Sequence, residues 1–207
     1  MSPRRGPRVK ISRRLGVDLG LKGPSRSTGR TALERRPFPP GQHGRRPRRS
    51  RSVYLLQLEE KQKARFYYGI RESELGRYAE QAARGRESTA QALVQLMERR
   101  LDNVLTRLGL ASTRAQARQF ISHGHVLVDG KRVAIPSNLV RSGQEVRVKP
   151  DSAVEPLVRE SAEQVAKVPP WLELNREALS GRVLHLPERD EVDVPYDESL
   201  VVEFYSR

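Results

Sequence analysis

Two stretches of this chain carry side chains able to do chemistry. The first is Arg35-Arg36-Pro37-Phe38-Pro39-Pro40-Gly41-Gln42-His43-Gly44, followed closely by Arg45, Arg46, Arg48, Arg49 and Arg51. Prolines stiffen such a segment, glycines let a partner approach the backbone, and arginine grips phosphate through two parallel hydrogen bonds. A flexible linker rarely sets Phe, Gln and His between prolines. The second stretch is Ser122-His123-Gly124-His125. Its H-x-H spacing is a weak metal signal, and no further histidine or acid cluster lies near it in sequence. A histidine at a helix end, bonding a phosphate or the terminal carbonyls, is the better account. No phosphate-binding P-loop, nucleophile elbow or zinc-protease helix is present. The chain has no cysteine, which excludes disulfides, thiolate catalysis and cysteine-held zinc. The carboxylates are spaced to pair along helices, as in Glu59-Glu60 with Lys63.

Charge is strongly segregated. The formal net charge is +14, and residues 1–51 supply all of it, with 16 Lys+Arg against Asp18 and Glu34. Residues 52–98 sum to zero, residues 99–149 to +7 and residues 150–207 to −7. Such a pattern describes a basic arm and a basic module meeting a polyanion, with an acidic tail hiding the second of them in the total. Among the basic residues 32 are Arg and 7 Lys, a ratio that suits phosphate contact and base stacking but also follows from GC-rich codon usage. No apolar run is long enough for a membrane span, and no apolar stretch follows the basic N-terminus as a secretory signal requires. The expected location is cytoplasmic.

The elements that must position these residues follow from local signals. Pro3, Pro7, Pro24, Pro37, Pro39, Pro40 and Pro47 break up residues 1–51, which are expected to be extended and to order only against a partner. Ser52 opens a helix to Tyr68, and a second runs from about Arg71 to Ala83. Leu93, Leu96, Met97, Leu101, Val104, Leu105 and Leu108 form one helical face that Gly109 stops. Thr113 with Gln116 gives a capping-box start for a helix ending at Gly124. Val126–Val128, Asp129-Gly130 and Lys131–Val133 spell a tight hairpin, and Glu145–Val148 a further strand. A helix near 152–167 follows, and Leu200-Val201-Val202-Glu203-Phe204-Tyr205 has strand propensity. The expected fold is α+β and mainly helical, comprising an extended basic arm (1–51), a helical body (52–98 with 150–207) and an inserted small basic domain (99–149) of two helices plus a short antiparallel sheet.

Many collinear motifs carry a resemblance to a known family. They are Arg13-Arg14, Glu34-Arg35-Arg36-Pro37, Pro39-Pro40-Gly41-Gln42-His43-Gly44, Glu60-Lys61-Gln62-Lys63 and Tyr68-Gly69. Glu98-Arg99-Arg100-Leu101-Asp102-Asn103-Val104, Arg114 with Gln116-Ala117-Arg118-Gln119, Ser122–His125, Pro170-Trp171-Leu172 and Glu203–Arg207 continue the series. The chain resembles bacterial small-subunit ribosomal protein number four over essentially its full length. That resemblance implies binding to small-subunit ribosomal RNA early in assembly, at a helix junction of the 5′ domain. It also implies contact with ribosomal protein number five, linked to decoding accuracy, and with messenger RNA where it enters the subunit. Residues 99–149 look like the small RNA-binding domain of some pseudouridine synthases and tyrosyl-tRNA synthetases. Some relatives hold a metal with four cysteines in the arm. The matching positions here are Val9, Ser12, Arg26 and Thr31, so no metal or other cofactor is expected.

The RNA-contacting set expected from these readings comprises Arg4, Arg5, Arg13, Arg14, Lys22, Arg35, Arg36, Gln42 and His43 in the arm. Arg99, Arg100, Arg114, Gln116, Arg118, His123, Lys131 and Arg132 complete it in the module. Arg114 and Arg118, four apart, share one helix face toward RNA, whereas adjacent Arg99 and Arg100 point differently and only one would touch it. Asp102 is expected to hold an arginine of the module. Arg45, Arg46, Arg48 and Arg49 would face messenger RNA. Two rival readings remain. An RNA-modifying enzyme would need a catalytic domain with a placed acid, and a free RNA-binding factor would share only the module.

Overall fold

The computed structural model describes residues 7–21, 31–45, 52–85, 88–165 and 167–206. The chain folds as two compact units, residues 1–67 with 195–207, and residues 68–194.

In the first unit, helix α1 (Arg8–Leu15) forms where an extended arm was expected. Pro7 sits at its N-cap, where a missing N–H costs nothing, and Gly16 closes it at φ 71°. Ile11, Leu15 and Leu19 are buried against Val17, Leu21, Phe66 and Tyr67, so the arm does own a small apolar cluster. The short helix α2 (Ala32–Arg35) is closed by a reciprocal cap. Glu34 Oε2 accepts from the Thr31 N–H at 2.6 Å, and Thr31 Oγ1 accepts from the Glu34 N–H at 3.3 Å. Helix α3 (Val53–Tyr68) starts as predicted, Ser52 Oγ accepting from the Leu55 N–H at 3.3 Å. The expected terminal strand is instead helix α9 (Glu198–Tyr205). Asp197 caps it, and Val201 and Phe204, one helical turn apart, face inward or against Lys61, whose ammonium lies 4.3 Å from the Phe204 ring. Cap and packing override the β-propensity of Val201-Val202. Gln57 Nε2 donates to Glu203 Oε2 at 2.8 Å and the Asp197 N–H to Glu60 Oε2 at 3.0 Å, tying α3 to this tail.

The second unit holds helices α4 (Glu72–Ala83), α5 (Thr89–Glu98), α6 (Leu101–Arg107), α7 (Arg114–Ser122) and α8 (Glu155–Gln164). Strands β1 (Val126–Val128), β2 (Lys131–Arg132), β3 (Glu145–Val148), β4 (Leu172–Asn175) and β5 (Ser180–Val183) make one antiparallel sheet in the order β2-β1-β3-β5-β4. Asp129 and Gly130 both adopt positive φ, 49° and 75°, the geometry a two-residue hairpin needs. Asp129 then accepts from the Glu145 N–H and Gln144 Nε2, which holds its carboxyl below the usual range and locks the turn onto β3. The sheet's inner face, with Val126, Val128, Val146, Val148 and Val183, packs on Leu101, Leu105, Leu108, Phe120 and Ile121 around Trp171. Gly181 has no room for a side chain there, because a Cβ would strike Leu108.

The single helical face predicted over 93–108 is two helices. Arg100 leaves the helix at φ −61°, ψ 135° and forms a β-bridge with Leu139, so that the Leu101 N–H bonds Asn138 O and the Val140 N–H bonds Arg99 O. The larger apolar residues of both helices are buried, those of α6 in the cluster that packs on the sheet. The backbone partners at the break are long-range, residues 138–140.

Candidate nucleic-acid interface

Arginines of the second unit divide into those that turn inward and those that stay outside. Arg100 is the clearest of the first kind, its side chain 3% exposed. It grips Asp102 with two bonds of 3.1 Å, donates to Glu74 Oε1 at 2.5 Å and donates to the Tyr78 hydroxyl at 2.9 Å. Burial works against its charge, but Asp102, Tyr78 and Glu74 more than compensate and raise its pKa. The expectation that Arg100 touches RNA is therefore corrected, since its donors are spent inside the fold. Asp102 does hold an arginine of the module, and in fact two. Arg118 Nε donates to Asp102 Oδ2 at 2.6 Å, while its two terminal nitrogens donate to Gly69 O and Tyr68 O. Arg118 thus also turns inward, against the reading that it faces RNA.

A second knot surrounds Glu98, which is fully buried. It accepts from the Tyr68 hydroxyl at 2.7 Å, from Asn103 Nδ2 at 2.8 Å and from two Arg107 nitrogens at 2.9 Å each. Burial pushes its carboxyl pKa up, but Arg107, Arg114 and Tyr68 together hold it below the ordinary value of 4.5. A depressed folded pKa means stability present at neutral pH and lost as pH falls from about 4.5 through the folded value. Glu98→Gln is therefore expected to cost about 2 kcal/mol at pH 7. The gap to wild type should narrow below pH 4.5 in urea unfolding curves, and a pH-independent gap would contradict the assignment. Arg114 Nε donates to Asn103 Oδ1 at 2.8 Å, and its guanidinium lies 5.4 Å from the Tyr68 ring centre. Gln116 Nα bonds the Thr113 hydroxyl as the capping signal predicts, but its side-chain oxygen takes the Ser112 N–H rather than that of Thr113.

The outside set lies on the hairpin and sheet. His123, Lys131 and Arg132 are exposed. Arg132 lies where a Cβ of Gly124 would sit, packing the hairpin on the end of α7. The His123 and His125 rings are 6.2 Å apart, and His125 Nδ1 shares a 2.8 Å bond with Ser152 Oγ. Arg99 is half-buried and donates to Val140 O at 3.1 Å, burial and neighbouring Arg141 lowering its pKa. Arg147 and Lys149, which sequence reasoning missed, are exposed on β3 and just after it. The alternation Glu145, Arg147, Lys149 outward with Val146 and Val148 inward was the signal that could have found them.

In the arm, Arg13 serves its own chain. It donates to the carbonyls of Arg36, Phe38 and Pro39 and lies 5.0 Å from the Phe38 ring centre. Arg45 lies 5.0 Å from the same ring, so Phe38 carries a cation from each of two chain segments. Arg14, Arg35, Arg36, Gln42 and His43 are exposed. The turn at 39–44 is tight, Gly44 donating to Gly41 O, and a Cβ on Gly44 would collide with Pro39 O. Arg4, Arg5, Lys22, Arg46, Arg48 and Arg49 lie outside the described residues, as does Arg26. Of the positions where some relatives place cysteines, Ser12 is buried and Thr31 caps α2. Among the described residues, no group of three or more His, Asp or Glu could hold a metal ion, and no helix is long and apolar enough to cross a membrane.

Two helices feeding a small antiparallel sheet, with inward arginines and a basic hairpin, define a protein of the S4-domain class. Residues 99–146 match the S4 domain, and residues 3–98 match the ribosomal protein S4/S9 N-terminal domain. The chain is 48% identical over 203 residues, 98% of each chain, to small ribosomal subunit protein uS4A of Symbiobacterium thermophilum. It is 46% identical over 209 residues, the whole of both chains, to uS4 of Natranaerobius thermophilus, and 48% identical over 204 residues, 98% of each, to uS4 of Gloeobacter violaceus. The chain belongs to the uS4 family of small ribosomal subunit proteins.

Proposed function

We propose that this protein is a non-catalytic structural constituent of the small ribosomal subunit, bound to its ribosomal RNA in the cytoplasm. The observation that carries the reading is the exposed set Arg14, Arg35 and Arg36, together with a preshaped Gly-Gln-His-Gly turn. Guanidinium groups held in place neutralise closely spaced phosphates where RNA helices converge, and the released counterions drive binding. The site is a helix junction of the 5′ domain, bound early enough to nucleate assembly. Arg45, with Arg46, Arg48 and Arg49, faces entering messenger RNA, which predicts that changing all four impairs translation of structured messages more than of unstructured ones. Equal loss on both would remove that role.

Ribosomal protein number five is the protein partner, and through it the chain contributes to accuracy. Support for a protein contact comes from the exposed apolar start of α3, where Val53, Tyr54, Leu55 and Leu56 stand beside Phe204, its ring 6.0 Å from Tyr54. The deciding experiment for the reading is sedimentation of cell extracts after a high-salt wash. The chain should remain with small subunits, and recovery only in the ribosome-free fraction would overturn it.

A further inference from the structure

We infer that Arg13 is a positioning residue, whose guanidinium locks the 36–44 segment into shape before RNA is bound. The inference rests on the reading of the chain as an RNA-binding protein and gives Arg13 a role other than phosphate contact. The sequence leaves this segment short of donors. Residues 36–40 read Arg-Pro-Phe-Pro-Pro, and three of these five have no backbone N–H. Such a run favours polyproline geometry, which makes no internal hydrogen bonds, so its carbonyls must find donors elsewhere. Arg13, in the last turn of α1, supplies them. Its Nε donates to Arg36 O at 3.2 Å and to Phe38 O at 3.0 Å, and a terminal nitrogen donates to Pro39 O at 3.4 Å. The guanidinium also lies 5.0 Å from the Phe38 ring centre. A lysine ammonium lacks the rigid fork that reaches carbonyls of three residues at once.

The lock extends to the turn. Pro39 O, one of the three acceptors, is the atom that a Cβ on Gly44 would strike, and the Gly44 N–H closes the turn on Gly41 O at 3.2 Å. Arg45 lies 5.0 Å from the Phe38 ring centre, so this one ring joins α1, the proline run and the residue after the turn. The α1 end is anchored in turn, since Ile11 and Leu15 are buried in the cluster with Leu19, Phe66 and Tyr67. Exposed Arg36, Gln42 and His43 lie on the backbone held in this way. Ordering a backbone at the moment of binding weakens affinity, and a backbone ordered in advance avoids that cost. The rival role for Arg13 is direct phosphate contact, because it lines a cavity with Val9, Arg35 and Arg36. The two roles differ in salt dependence.

Arg13→Gln in the full chain should weaken small-subunit RNA binding about tenfold through lost preorganisation. Its salt slope should stay at the wild-type value, because no phosphate contact is removed. Arg36→Gln is the contrast and should lower the slope by about 0.7–0.9. In the protein without RNA, hydrogen exchange at the Gly44 N–H should be slow in wild type and in Arg36→Gln, and fast in Arg13→Gln. Phe38→Leu leaves α1 untouched and should also speed that exchange and weaken binding at unchanged slope, so it decides the matter if Arg13→Gln unravels α1. A Gly44 N–H that exchanges in wild type as fast as in an unfolded chain, or an Arg13→Gln slope lowered by a full contact, would overturn the inference. Slow exchange in a chain that binds no small-subunit RNA would instead overturn the proposed function and leave the lock standing.

Discussion

Arg100→Ala should destabilise residues 68–194 by about 3–5 kcal/mol, the cost of stranding buried charges. Asp102, 1% exposed, would keep only Arg118, and Glu74 would lose its 2.5 Å partner. The β-bridge to Leu139 and the break between α5 and α6 exist where this guanidinium is held, so the loss should spread to the 138–140 segment. For a unit of this size the midpoint of thermal unfolding should fall by about 10–20 °C. Arg100→Lys should rescue little, because an ammonium cannot fork to both Asp102 oxygens while reaching Glu74 and Tyr78. Below the variant's transition, the salt slope of RNA binding should match wild type. A stable variant with a flattened slope would return Arg100 to the RNA-contacting set.

The second large effect belongs to the arm. Arg14, Arg35 and Arg36 changed together to Gln should reduce the salt slope by about 2–2.5 and the affinity about a hundredfold at 0.1 M salt. Deleting the arm would be a poorer test, because Ile11, Leu15 and Leu19 pack with Phe66 and Tyr67, and removing them would uncover an apolar surface. Substitution leaves that cluster intact. Arg71, Arg77 and Arg84, exposed in and beside α4, are the matched control and should change the slope little. Equal losses from both sets would mean that binding follows total charge rather than this arm.

How much of this the sequence foretold depends on the range of the cause. The Thr113 cap, the Asp129-Gly130 turn and the start of α3 at Ser52 are set by residues within three positions, and each stands where its signal predicted. The break at Arg100 was illegible because the partners there, Leu139 for its backbone and Glu74 for its side chain, lie 39 and 26 residues away. α9 was hidden by Val201-Val202, whose β-propensity yields to Asp197 and to packing on α3. Helix α1 was hidden by counting prolines without asking where each falls, since Pro7 at a cap starts a helix rather than ending one. The fate of each arginine was hardest. Arg114 and Arg118 share a helix face in sequence, yet acids and carbonyls from distant segments draw Arg118 inward.

The central claim is that the chain grips small-subunit RNA through the exposed arginines of its arm. Hydroxyl-radical footprinting of that RNA with the full-length protein tests it directly. The account predicts discrete backbone protection clustered at a helix junction of the 5′ domain, part of it lost with the three arm substitutions. Protection that is absent, or spread evenly along the RNA and indifferent to those substitutions, would contradict it.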